Sequence, residues 1–321
     1  MSEISQVAFP YLEELILDGS RIIEIWQEQF PVESFCRLRV QSICEYRDIL
    51  VVIPSSMLQR LHKLEKLTVR SCGSVKEVVQ LEGLVDEENH FRALARLREL
   101  ELNDLPELKY LWKENSNVGP HFQNLEILKI WDCDNLMNLV PSSVSFHNLA
   151  SLDISYCCSL INLLPPLIAK SLVQLKIFKI GRSDMMKEVV ANEGENAGDE
   201  ITFCKLEEME LCGLPNLTSF CSGVYSLPFP VLERVVVEEC PKMKIFSQGL
   251  LVTPRLDRVE VGNNKEHWKD DLNTTIHLLF NTWYMLISLN FYGDLVRSAV
   301  EIFYVPFIDG CFSWHKICLV A

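Results

Sequence analysis

The chain has 321 residues, 48% of them hydrophobic, enough to bury a substantial core in one large domain or two modest ones. Its formal net charge is −14 and its pI is near 5.0. Such a surface repels phosphate backbones and anionic lipids, so nucleic acid and membrane surfaces are excluded as first-choice partners.

Taken in chain order, the pattern L-x-x-L-x-[LIV] recurs along most of the sequence. It stands at Leu12/Leu15/Leu17, Leu64/Leu67/Val69, Leu97/Leu100/Leu102, Leu125/Leu128/Ile130 and Leu149/Leu152/Ile154. It continues at Leu175/Phe178/Ile180, Leu206/Met209/Leu211, Leu232/Val235/Val237 and Leu256/Val259/Val261. A degenerate copy is read at Phe35/Leu38/Val40, which makes the steps between starts 23, 29, 33, 28, 24, 26, 31, 26 and 24 residues. Steps of this size are those of leucine-rich repeats.

The second and third apolar residues of each copy are two apart, so they face the same side of a strand. One repeat cannot bury that side alone, but stacked repeats can. The expected fold is therefore an α/β solenoid, a leucine-rich-repeat horseshoe. It has a parallel β-sheet on its concave face and irregular or short-helical convex arms. About ten repeats span residues 1–280, and residues 281–321 follow no repeat and are read as a tail, either capping or poorly ordered.

Eight residues past each start stands a Cys or Leu: Cys72, Leu105, Cys133, Cys157, Leu214 and Cys240. Apolar residues follow at two further steps of three, as in Val75 and Val78 or Leu136 and Leu139. This beat suits a tight turn and a return arm. The cysteines are expected to be small buried apolar residues of an interior column, in which Ser183 stands in place of a cysteine. Pro106, Pro215 and Pro241 follow it where the chain leaves the sheet. The segments 82–89 and 191–200 are acidic and read as solvated loops.

Residues two, four and six past each start should line the exposed sheet face. They include Glu99, Glu101 and Asn103, then Lys129 and Trp131, then Asp153, Glu208 and Glu210, then Arg234 and Glu238. The expectation is an acidic protein-binding strip with Trp131 as its aromatic anchor, because buried aromatics dominate many interfaces.

Catalytic signatures are missing. There is no phosphate loop, no G-x-G-x-x-G, no G-x-S-x-G and no H-E-x-x-H. No C-x-x-C pair occurs among the twelve cysteines. The reading is a non-enzyme without cofactor or metal. The start of the chain has no basic segment leading into an apolar run. Asp294, Arg297 and Glu301 interrupt the apolar stretch 283–307, and a span needs about 20 nearly uncharged residues. A cytoplasmic chain with no membrane span, reduced thiols and idle N-x-[ST] sites at Asn216 and Asn273 is expected.

Four segments, residues 53–84, 169–223, 229–249 and 267–280, carry a resemblance. They are similar to the C-terminal leucine-rich repeats of plant coiled-coil, nucleotide-binding disease-resistance proteins, over roughly residues 9–280. The resemblance implies pathogen sensing, with the repeats restraining a nucleotide-binding domain until an effector or a host guardee relieves that restraint. The partners it implies are proteins: that nucleotide-binding domain, a pathogen effector, or the guarded host protein. The family's phosphate-binding loop has no counterpart here. Cysteine at the eighth position is also favoured in substrate-recruiting repeats of ubiquitin ligases, so a ligase adaptor is the alternative.

Overall fold

The structure, a computed structural model, describes residues 8–19, 30–31, 33–80, 94–111, 122–139, 145–192, 199–262 and 265–280. The segments 82–89 and 281–321, and most of 191–200, lie outside the described residues.

Each apolar copy forms a strand beginning two or three residues past its start. The strands are Glu14–Asp18, Val40–Cys44, Lys66–Arg70, Glu99–Asn103, Ile127–Trp131, Ser151–Ser155, Ile177–Gly181, Glu208–Cys212, Arg234–Glu238 and Val259–Val261. They pair side by side in chain order and in parallel. Equivalent residues stand opposite one another, as Leu100, Leu128, Leu152 and Phe178 do. Burial alternates along most strands, and the second and fourth residues are sealed in the core. The fold is the expected parallel-sheet solenoid.

The second repeat corrects the sequence reading. Val40, not Arg37, pairs with Glu14 and Lys66, so this copy reads Leu38/Gln41/Ile43. The first steps are thus 26 and 26 residues rather than 23 and 29. Phe35 belongs to a separate column three residues before each start, with Phe122, Phe146, Phe203 and Phe229, all buried. Each closes a turn into the start leucine, for example Leu38 N to Phe35 O at 3.0 Å and Leu125 N to Phe122 O at 3.0 Å. A glutamine at a leucine position hid the true register.

The three-residue beat beyond the strand is a repeated turn. The amide at the eleventh position donates to the carbonyl at the eighth, as in Leu108 to Leu105 (3.0 Å), Leu136 to Cys133 (3.1 Å) and Met243 to Cys240 (3.1 Å). Just before that position, in each of the nine repeats where it is described, the chain passes through one left-handed residue. Gly19, Glu45, Ser71, Asp104, Asp132, Tyr156, Arg182, Gly213 and Glu239 all have φ between 47° and 86°. Only two of these nine are glycine, so the motif imposes the conformation against the preference of most side chains.

The arms hold more β-structure than the sequence suggested. Asn162–Leu164, Glu188–Val190 and Ser219–Cys221 form one parallel three-stranded sheet, and Val51–Ile53 pairs with Glu77–Val79. Short helices cover Ser55–Leu58 and Pro166–Ser171. Aromatic stacking knits the later arms: Phe203 lies on Phe229 at 5.0 Å and Phe220 on Phe246 at 4.8 Å. Asparagines tie turns to the preceding repeat, Asn135 Nδ2 to Pro106 O (2.6 Å) and Asn216 Nδ2 to Asp184 O (2.8 Å).

Residues 265–280 close the last parallel strand. Lys265–His267 pairs antiparallel with Val259–Val261, covering a strand edge that would otherwise expose unpaired backbone. A helical segment, residues 272–280, buries Leu272 and Ile276 fully. Asp271 accepts the Thr274 amide at its start (2.8 Å), an N-cap hydrogen bond. Asn273 holds the final arm by accepting from the Phe246 and Ser247 amides at 2.9 and 3.0 Å.

Candidate protein-binding surface

Alternation along the strands places all ten candidate residues on the open sheet face, each half-buried between its lateral neighbours. The middle row runs Glu101, Lys129, Asp153, Lys179, Glu210 in successive strands, alternating in charge. The basic residues scattered among the carboxylates of this face are thus placed between them. Most of its carboxylates already hold a cation of the same chain.

Two ion-pair groups result. In the first, Glu101 meets Lys129 Nζ at 2.8 Å, Arg70 at 3.4 Å and Lys66 at 3.7 Å, and Glu99 meets Lys66 at 3.1 Å. Burial pushes the Glu101 carboxyl up, but its hydrogen bond from Lys129 and the nearby charges of Lys129 and Lys66 outweigh it and hold it below the ordinary range. In the second, Lys179 meets Glu210 at 3.1 Å and Glu208 at 3.5 Å. Arg234 bridges Glu208, Glu210 (2.7 Å) and, through both Nε (3.0 Å) and Nη2 (2.7 Å), Glu260. The hydrogen bonds to Glu260 and Glu210 raise the Arg234 guanidinium above its ordinary value. For Glu210, burial again pushes upward and the Arg234 and Lys179 hydrogen bonds prevail, so its carboxyl is held low. Pairs this open to solvent contribute up to about 1 kcal/mol each. Their larger effect is to set the side-chain layout of the face.

Between the groups lies the sixth strand, with the short side chains Ser151, Asp153 and Ser155. Trp131 leans onto it and donates its indole N–H to Asp153 Oδ1 at 3.1 Å. Asn103 flanks Trp131 in register on the other side, and Glu238 stands beside Cys212. The Glu238 carboxylate reaches over Gly262, where a Cβ would lie 2.6 Å from its Oε1, so a larger residue there would displace the carboxylate.

The column cysteines are structural. Cys72, Cys133, Cys157 and Cys240 are buried, and each thiol points to the carbonyl two residues back, at 3.2–3.5 Å. Burial pushes the Cys240 thiol up to about 12, which keeps it protonated and unreactive. Ser183 reproduces the contact, donating to Gly181 O at 3.2 Å and accepting from the Cys157 amide at 3.4 Å. Its hydroxyl is therefore satisfied in a column built for thiols. Among the described residues, no group of three His, Cys, Asp or Glu side chains could hold a metal. No helix among them is long and apolar enough to cross a membrane.

A stack of repeats presenting one side-chain-rich sheet face defines a leucine-rich-repeat solenoid, a class built for binding other proteins. The chain matches the family of RPS2-like leucine-rich repeats of plant disease resistance proteins over residues 11–145 and 142–251. It belongs to that family. It is 26% identical over 254 residues to a probable disease resistance protein of Arabidopsis thaliana, At1g61310, covering 78% of this chain and 25% of that protein. The chain thus spans about a quarter of the length of this relative. Among solved structures, the leucine-rich repeat domain of the type III effector XopL aligns with a TM-score of 0.41 and 17% identity, over 77% of this chain and 70% of that one.

Proposed function

We propose that this chain is the recognition and restraint module of a cytoplasmic plant immune receptor and has no catalytic role. The observation that carries this reading is the face of ten parallel strands in a chain of the disease-resistance repeat family. Such a face offers many laterally packed side chains held rigid by the backbone ladder, which suits recognition of a protein surface. In this reading it contacts the nucleotide-binding domain of the receptor at rest, and an effector or a guarded host protein changes that contact. The solenoid is assigned to residues 1–280.

The test is binding in trans to a purified coiled-coil plus nucleotide-binding fragment of a related plant receptor, followed by calorimetry. Trp131→Ala should weaken binding by about tenfold or more, the loss typical of a central aromatic anchor. Reversing Glu101 or Glu210 is a poorer probe, because each is shared between cations of the fold itself. A folded chain that shows no affinity for the fragment sinks the restraint half of the proposal. Unchanged affinity in Trp131→Ala removes the open face as the contact surface.

A further inference from the structure

The middle of the open face holds a depression of about 380 Å³ whose walls include Trp131, Asp132, Asp153, Tyr156 and Lys179. Its floor is the Ser155–Gly181 pair, opposed in register. The glycine leaves the floor low: a Cβ at Gly181 would lie 3.0 Å from Ser155 Oγ. This is the one stretch between the two ion-pair groups where side chains are short enough for a partner to enter.

Its charge is unbalanced in a specific way. Asp153 stands between Lys129 and Lys179 in the sheet, yet both lysines are engaged away from it, Lys129 with Glu101 at 2.8 Å and Lys179 with Glu210 at 3.1 Å. The only hydrogen bond that Asp153 receives among the described residues is the indole N–H of Trp131. Asp132, at the rim, is in no ion pair among the described residues. Burial and the nearby Asp104 and Asp134 push its carboxyl up, the response of a carboxylate lacking a cation. A carboxylate with spare acceptor capacity, beside an indole ring and over a glycine floor, matches one side chain well. A guanidinium is planar, stacks on aromatic rings and donates to carboxylates in a fork.

We infer that this depression receives an arginine side chain of a protein partner, with the Trp131 ring as one wall and the Asp153 carboxylate as the anionic end. The inference rests on the protein-binding reading of the face and names the chemistry that its centre selects. An arginine is favoured over an apolar anchor because an apolar group would strip water from Asp153 without giving it a hydrogen-bonded cation, which is costly.

The experiment uses the full chain and a small probe, so it does not depend on any receptor fragment. The indole N–H resonance of Trp131, identified by its loss in Trp131→Phe, is followed while N-acetyl-argininamide is added into the tens of millimolar. The same titration is run with the neutral isostere N-acetyl-citrullinamide. The expected result is a saturable shift with the arginine probe, with citrulline about tenfold weaker, the usual worth of a charge-assisted hydrogen bond. Asp153→Asn keeps an acceptor for the indole but removes the charge, and should weaken the arginine probe by a similar factor. Ser155→Phe, which fills the floor, provides a second variant should Asp153→Asn fold poorly, and should abolish the shift. No shift with the arginine probe, or equal shifts with both probes, overturns the inference. A positive titration alongside failed binding of the receptor fragment would retain this site and reject the restraint proposal.

Discussion

Gln41 lies opposite Leu67 in the sheet, fully buried, and neither atom of its side-chain amide has a hydrogen-bond partner. It occupies the position that Leu15, Leu67 and Leu100 hold in neighbouring strands. A buried amide without partners costs about 1–3 kcal/mol. Gln41→Leu should therefore raise stability by that amount, read as a higher urea midpoint with an unchanged slope. An unchanged or lower midpoint would mean that the amide is satisfied in solution, for example by water.

Leu128 and Leu152 stand opposite each other in the fifth and sixth strands, both with no exposed surface. Truncating either to alanine should cost about 2–5 kcal/mol, through lost burial and the cavity left behind. In a solenoid the damage should stay with adjacent repeats, so amide exchange should quicken near the substitution and little at the far end. Uniform quickening along the chain would contradict that picture.

The left-handed turn residue offers a matched pair of substitutions. Glu239 has φ 53°, and replacing it with glycine relieves about 1–2 kcal/mol of backbone strain, against about 0.5–1 kcal/mol of added chain entropy. Glu239→Gly should thus be slightly stabilising. Gly213, at φ 65°, should lose about 1 kcal/mol on conversion to alanine, since its new Cβ would also meet Arg182 Cγ at 3.0 Å. Thermal melts of the two variants should move in opposite directions.

Acid should weaken the open face. The Glu101 and Glu210 carboxyls are held below their ordinary value of 4.5. A folded-state value below the unfolded one gives stability that is present above about 4.5 and lost as pH falls through the folded values. For carboxylates this solvent-accessible the loss should be within about 1 kcal/mol each. Denaturant midpoints should be flat from neutral pH down to about 5 and then fall. Lys129→Met should shrink the part of that fall due to Glu101, and an identical fall in this variant would show that the ion pair does not contribute.

How far the sequence reached depended on what each residue's neighbours contribute. Wherever leucines stand three and five apart, the strand and its buried face follow from local geometry, because period two admits only one way to bury both. The second repeat escaped that logic: Gln41 breaks the apolar pattern, and only pairing with Glu14 and Lys66 on either side shows where the strand begins. The phenylalanines three residues before five of the other starts carried a signal that would have corrected it.

The identity of the face residues was likewise legible, but not their state. Glu101, Lys129, Asp153, Lys179 and Glu210 are about one repeat apart in the chain, 24 to 31 residues. Their alternation in charge appears only when the strands stand side by side in register. Sequence alone thus determined the repeat, the fold class and which side chains leave the core, since those depend on spacing within one strand. Tertiary structure decided which carboxylates are already neutralised and where the sheet dips at Ser155 and Gly181. Those properties arise between strands, where stacking brings distant residues within a few ångströms and Coulomb interactions become strong enough to choose partners.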